Sequence, residues 1–279
     1  MRGLENLQGH FFRFFSPKNN LDCETMTTPI LYKYLDFEGG RLMLKYRTLQ
    51  FTNATKFNDP FDCHPDLFDF SNVPKNARNW PPADFISQME YTHMKNYREQ
   101  TWICCLSKVC DSLLMWAYYN NHKGICIGLN MESVLRSCQD RFWGLSAPQA
   151  AEEVIYRDIT DKPDYFRVRH SPSEWLLTKA KDWEHEQEVR LIAQDPYWAN
   201  AARDVPREFD EEETIDGKEI RHYPRLTADC FESVYLGVNM LQRKREQIIE
   251  IAKKLNPNIN IYQITLDPDA FKLKSELVE

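Results

Sequence analysis

The sequence predicts a single α+β domain in which a central mixed sheet is flanked by helices. Three observations carry that prediction. Apolar runs of strand length recur along the 279 residues, and helical patterns separate them irregularly, without strict β–α alternation. No internal repeat or low-complexity linker divides the chain. Hydrophobic residues make up 42% and aromatics 13%, which suits a folded domain with a sizeable core.

Residues 1–26 read as an N-terminal extension, with Phe11, Phe12, Phe14 and Phe15 ahead of a polar loop, and 27–279 as the domain. A first strand covers 30–34. Gly39 and Gly40 open a short helix over 41–46, and 48–52 alternates as a second strand. In 56–62, Pro60 keeps Asp59 out of a helix while Asn58 and Asp59 favour a turn, which Phe57 and Phe61 anchor on the core. A loop follows over 70–82, and then a helix over 84–100. The apolar run 102–106, ending at Ser107, suits a strand buried on both faces.

Asp111 or Ser112 caps the next helix, which runs to about Asn121 and places Leu114, Met115, Tyr118, Tyr119 and His122 on one face. A buried strand covers 124–129, an irregular stretch 138–150, and a short strand 153–156. Ser171-Pro172-Ser173-Glu174 combines a serine cap, an early proline and a glutamate, so it starts a helix that carries Trp175, Leu176 and Lys179. In 181–193 the chain changes character. Lys181 to Trp183 reads as a helix end and apolar plug, and the stretch from Glu186 as a strand with Val189, Leu191 and Ala193 on one face. A polar, acidic excursion spans 195–219. A strand over 231–236, a helix over 242–255 and a closing strand over 259–266 complete the domain.

The net charge of −7 argues against a surface that coats itself in phosphates, but leaves room for a local nucleic-acid groove. Eight cysteines are present without a CxxC pair or zinc spacing, so they read as small buried hydrophobes in a reducing compartment. The N-terminal residues show neither a signal peptide nor a membrane span, so a soluble, cytoplasmic chain is expected. No GxGxxG, GxxxxGK[ST] or GxSxG motif occurs.

Four polar clusters remain: Tyr32-Lys33-Tyr34; Asn58-Asp59 with Asp62; Ser107 with Trp116, Tyr119 and His122; and Trp183 with Glu186, Glu188 and Arg190. Glu186 and Glu188 are two apart, so at a strand start they point the same way. Two carboxylates on one face need a cation or proton between them. Either Arg190, two further along, neutralises them as structure, or they are there for chemistry. Tyr32 and Tyr34 can equally cover a core, Asn58 and Asp59 close a turn, and His122 sit at a helix C-terminus.

Leu31-Tyr32-Lys33-Tyr34, Phe57-Asn58-Asp59-Pro60-Phe61-Asp62, Cys105-Leu106-Ser107, Met115-Trp116-Ala117-Tyr118-Tyr119 with His122-Lys123-Gly124, and Trp183-x-x-Glu186-x-Glu188-x-Arg190 stand in that order. Together they resemble the bacterial family known as domain of unknown function twenty-nine seventy-one, from about residue 30 to 193 and more weakly through Tyr235-Leu236-Gly237. That family implies the domain and no activity.

A weaker similarity links Lys33, Ser107 and Glu186-x-Glu188 to ADP-ribosyltransferases, although Lys33 stands where those enzymes carry Arg or His. The resemblance implies an ADP-ribosyltransferase-like fold, with NAD as substrate and transfer of ADP-ribose to an unknown macromolecular acceptor, protein or nucleic acid. Such an enzyme would act as a toxin or anti-phage effector. Glu188 would stabilise the positive ribose of the transition state and Glu186 would align or deprotonate the acceptor. Tyr32, Lys33, Tyr34, Ser107, Tyr119 and His122 would bind NAD, with Asn58, Asp59, Asp62 and Arg190 as further polar candidates.

Two other readings compete. Asp59, Asp62, Glu186 and Glu188 could gather a hard cation in a nuclease or phosphodiesterase. Alternatively the chain is a non-enzymatic module that binds a partner or ligand, with the acidic pair satisfied by Arg190 and Lys179 and the tryptophans in the core.

Overall fold

Strands β1 (Ile30–Leu35), β2 (Phe51–Asn53), β3 (Thr101–Ser107) and β4 (Ile125–Asn130) alternate with helices α1 (Phe37–Tyr46), α2 (Ala83–Glu99) and α3 (Leu113–Asn120). Helix α4 (Met131–Gln139) leads to β5 (Ala151–Glu153), β6 (Ile155–Arg157), α5 (Tyr165–Val168), α6 (Pro172–Leu176), β7 (Thr178–Ala180) and β8 (Glu188–Gln194). The short strands β9 (Thr214–Ile215), β10 (Lys218–Glu219) and β11 (Arg221–His222) precede β12 (Phe231–Leu236), α7 (Gln242–Leu255), β13 (Asn260–Leu266) and β14 (Leu273–Leu277). The structure is a computed structural model, and it describes residues 29–74, 82–139, 147–158, 162–168, 172–194, 214–215, 218–219 and 221–278. The N-terminal extension and residues 195–213 of the polar excursion lie outside the described residues.

Among the described residues, ten strands form one sheet in the order β11-β2-β3-β1-β4-β12-β13-β14, with β8 on the other edge of β3 and β5 beyond it. Within this sheet, among the described residues, only β12 and β13 pair in parallel, so it is mixed. The sheet forks at β3. One of its edges pairs with β8 along its whole length, from Thr101–Gln194 to Ser107–Glu188. The other edge is shared, with β2 opposite Trp102 and Ile103 and β1 opposite Ser107. Cys105 lies between those two pairings, and its carbonyl accepts from Lys33 Nζ at 2.8 Å. A lysine thus satisfies a backbone group for which the fork leaves no strand.

Alternation assigns the two faces. Leu31, Cys104, Leu106, Ile127, Val189, Leu191 and Val234 pack with residues of α1, α4 and α7 in the larger core. The opposite face carries two smaller clusters, one of Tyr34, Cys126 and Tyr235 under α3 and one of Cys63, Ile103, Met94 and Trp175. This is the α+β fold with a mixed sheet and flanking helices that the pattern predicts, in a single domain.

Several expectations need correction. The strand over 259–266 does not close the sheet, because β14 pairs beyond it. Residues 153–156 split at Val154 into β5 and β6, which join different sheets. The second strand begins at Phe51, not Thr48. The stretch from 138 belongs to α4 as far as Gln139, and Asn130 Oδ1 holds that helix's start by accepting from Ser133 N. Phe61 is 60% exposed and anchors nothing, whereas Phe57 packs on the core.

Helix α3 is rotated from the expected face. Met115, Trp116 and Asn120 are buried, while Leu114, Tyr118 and Tyr119 are exposed. Trp116 decides this, since it lies edge-on to Tyr34 at 5.4 Å and its Nε1 donates to Cys110 O. Gly124, just after α3, must be glycine because an added Cβ would lie 2.2 Å from Leu35 O and 2.9 Å from Asp36 Cα.

Candidate functional site

The stretch 181–186 is a 3₁₀ turn and not a helix end, and α6 stops at Leu176, so Lys179 stands on β7. Gln187 then adopts the left-handed conformation (φ 43°) before β8 begins at Glu188. Glu186 therefore precedes the strand, and it is this left-handed step, not strand alternation, that turns both glutamates inward. They meet at one atom. Lys179 Nζ donates to Glu186 Oε2 at 2.5 Å and to Glu188 Oε2 at 2.9 Å, and lies 3.7 Å from Asp62 Oδ2.

Arg190 shares the face of Glu188, as the spacing predicts, and grips it twice. Its Nε donates to Glu188 Oε1 at 2.8 Å and its Nη2 to Oε2 at 3.1 Å. Nη2 also donates to Asp62 Oδ2 at 2.7 Å, and Nη1 to Leu176 O at 2.5 Å. The five side chains are sealed: Arg190 is 0% exposed, Glu186 2%, Glu188 and Asp62 3% and Lys179 6%. Three carboxylates face two cations, so the network carries one formal excess negative charge. Tyr119 OH donates to Glu186 Oε1 at 2.7 Å, and Tyr156 OH accepts from Glu188 N at 2.8 Å. The rings of Trp183 and Phe57 lie 5.0 Å from Lys179 Nζ and 5.4 Å from the Arg190 guanidinium.

Burial by itself would push the Glu188 carboxyl up, but Arg190 and Lys179 outweigh it and hold the group well below its ordinary value. Burial likewise opposes charge on Lys179, and Glu188, Asp62 and Glu186 reverse that effect and hold its ammonium above the ordinary range. Burial, then Glu186, raise the Tyr119 phenol, and burial raises that of Tyr156 to about 12. At neutral pH Glu188, Lys179 and Arg190 are therefore charged and both phenols keep their protons.

These shifts set a pH profile. A depressed Glu188 contributes stability that is complete above its ordinary 4.5 and is lost as pH falls toward its folded value. A raised Lys179 contributes stability that is complete below its ordinary 10.5 and is lost only as pH rises through its folded value. Urea midpoints measured across pH should form a plateau from about pH 6 to about pH 9 and fall on both sides. Lys179→Met should flatten the alkaline limb. A midpoint that rises on acidification from pH 5 would contradict the assignment.

The other sequence candidates have different positions. Ser107 lies directly opposite Glu188 on β3, but it is buried, and its hydroxyl donates to Glu186 O and accepts from Val109 N. Lys33 pairs with Ile127 and so projects to the opposite face, away from Ser107 and Glu188. Tyr34 OH donates to Val109 O and accepts from Ser112 N, and Tyr32 lies edge-on to Tyr235 at 5.7 Å. His122 is a left-handed corner residue whose backbone bonds Trp116 O and Asn239 N. Asp59 caps Phe61 N, and Asn58 is exposed. The proposed four-carboxylate cation site thus keeps Asp62, Glu186 and Glu188 but loses Asp59, and its centre holds the Lys179 ammonium.

Sequence reasoning missed Tyr156, Cys63 and Arg98. Cys63 Sγ accepts from Arg190 Nη1 at 3.3 Å. Arg98 donates to Ala54 O at 3.3 Å and Asp62 O at 3.1 Å, and to no carboxylate among the described residues. It lines a pocket of about 200 Å³ with Thr55, His64, Tyr91, Lys95 and Glu99. Burial, then Arg98, lower the His64 pKa, and its Nδ1 accepts from Asp66 N, which leaves Nε2 as the donor. A cation at a helix C-terminus signals nothing beyond capping, so Arg98 could not be singled out from the sequence.

Fold and site together define an α+β protein with a buried five-residue ion network. Residues 115–191 match the family model described as a protein of unknown function, DUF2971. That span holds Lys179, Glu186, Glu188 and Arg190, and the match supports the domain-of-unknown-function family to which the motifs point. No curated protein and no solved structure matches the chain significantly. Among the described residues, no helix is long and apolar enough to cross a membrane.

Proposed function

We propose that the chain is a ligand-binding module in which the Glu-x-Glu strand is structural. One observation carries this: both oxygens of Glu188 are taken by Arg190 and Lys179 inside a sealed network. A carboxylate held that way and 3% exposed is reached by a ribose or a metal ion only when the buried ion pairs around it open. The seat for a ligand is the pocket beside the network. Its Arg98 is half-buried and its Lys95 is exposed, neither with a carboxylate partner among the described residues. With the His64 Nε2 donor, these two cations outnumber the one carboxylate of the same lining, Glu99, and suit a small carboxylate- or phosphate-bearing anion.

A second reading is favoured by one observation. Tyr32, Ser107 and Glu188 form a row across β1, β3 and β8. Three of the residues that the resemblance implicates in NAD cleavage with ADP-ribose transfer to a protein or nucleic-acid acceptor thus lie together, although Lys33, its first-strand residue, faces away. That reading requires Glu188 to exchange its partners for the ribose.

One set of measurements separates the readings. Calorimetric titration of inorganic phosphate should give saturable binding that Lys95→Glu weakens by about tenfold or more. Incubated NAD should stay intact. Glu188→Gln should lower stability, since either amide orientation turns NH₂ toward a cation that now lacks an acceptor. Absence of saturable heat would remove the anion seat. NAD loss that Glu188→Gln abolishes at an unchanged melting temperature would instead establish the second reading.

A further inference from the structure

Strand β14 ends the sheet. It pairs with β13 on one side, from Tyr262–Leu277 to Leu266–Leu273, and with no strand on the other among the described residues. An open edge exposes backbone donors and acceptors that a second strand can satisfy. The sequence of this edge is Leu273-Lys274-Ser275-Glu276-Leu277: apolar, basic, small, acidic, apolar, so that reversal about Ser275 keeps the apolar ends and exchanges the basic residue for the acidic one.

An antiparallel pair of identical strands centred on Ser275 has consequences that follow from that order. Lys274 of one copy lies opposite Glu276 of the other, and Glu276 opposite Lys274, so two complementary cross-strand pairs form on one face. Leu273 lies opposite Leu277 on the other face. In the single chain Lys274 and Glu276 bond each other at 2.7 Å and are 44% and 51% exposed, so both are available at the surface. Leu273 is buried against Ile264, whereas Leu277 is 62% exposed. The partner's Leu277 would extend that small apolar cluster across the joint. Leu266 and Phe271, 67% and 107% exposed, flank the same edge.

A lone charged edge strand is a common guard against pairing. Lysines alone would repel a second copy, but a basic and an acidic residue placed symmetrically about a small central one attract it. We propose that the β14 edge is a self-association surface, on which two copies of this chain pair antiparallel about Ser275 under two-fold symmetry and continue the sheet from one molecule into the next. Two-fold pairing of this kind is isologous, each copy giving and receiving the same contacts. Five residues a side is a small joint, so the dimer should be reversible and dependent on concentration and salt.

Sedimentation equilibrium of the full chain tests this through charge swaps. Wild type should shift from monomer to dimer with increasing concentration, and less so in high salt. Lys274→Glu alone and Glu276→Lys alone should each be monomeric, since each sets like charges opposite one another. An equimolar mixture of these two variants should dimerise again, as both cross-strand pairs are then complementary, and the double swap should restore the homodimer. Circular dichroism should show that every variant keeps the fold, because the positions are exposed. A wild type that stays monomeric at the highest concentration reached would overturn the proposal. So would a dimer indifferent to the single swaps, or a mixture of the single variants that stays monomeric.

Discussion

Arg190→Met is expected to destabilise the fold by about 3–5 kcal/mol, the range for removing one partner of a buried ion pair. The loss is not that of one contact. Asp62 and Glu188 would lose their guanidinium partner in a site where Arg190 is 0% exposed, with only Lys179 left beside three carboxyl groups. Water cannot reach them to compensate, and methionine supplies volume but no donor. The rescue is more informative than the loss. In the triple variant Asp62→Asn, Glu188→Gln, Arg190→Met, Lys179 and Glu186 remain as a one-to-one pair. It should be less destabilised than Arg190→Met alone, as buried ions removed together often cost little. Urea unfolding followed by tryptophan fluorescence measures both. A single variant within about 1 kcal/mol of wild type would mean that the network is open to water.

Trp116→Ala is expected to cost about 3–5 kcal/mol. Trp116 is 0% exposed, stands edge-on to Tyr34 and donates to Cys110 O, so it pins α3 to the sheet. The truncation leaves a large cavity and an unpaired carbonyl. It also has a remote consequence, because α3 carries Tyr119, whose hydroxyl holds Glu186 Oε1 at 2.7 Å. Tyr119→Phe should therefore reproduce only a small part of the loss, about 1 kcal/mol for one hydrogen bond to a charged group. Thermal melts of both variants check the ratio. A Trp116→Ala melt equal to that of Tyr119→Phe would show that the indole contributes no anchoring.

Strands with strong apolar runs were legible, and β3, β4 and β12 stand within a residue or so of their expected bounds. Helix α7 has its expected bounds, with Ile248 and Ala252 inward. Elements whose pairing depends on distant partners were not legible. β14 alternates weakly and forms only because β13 presents an edge to it. β5 and β6 are three residues each and take different sheets, which local propensity cannot assign. The orientation of α3 was misread because its sequence is apolar on several faces, and packing against Tyr34 chose among them.

The candidate site divides in the same way. Sequence alone determined that Glu188 and Arg190 belong together, because spacing puts them on one face of one strand, whereas Glu186 joins them through the left-handed step at Gln187. It also determined that two adjacent carboxylates need a cation. Sequence also offered Lys179 as a partner of the acidic pair, but only the tertiary structure placed it at their centre from β7 and added Asp62, from a turn more than a hundred positions away in the chain. The tertiary structure likewise decided that Lys33 faces away and that Glu188 is sealed from solvent. The reason is physical: spacing fixes which side chains share a face, while burial and long-range convergence depend on what packs over that face.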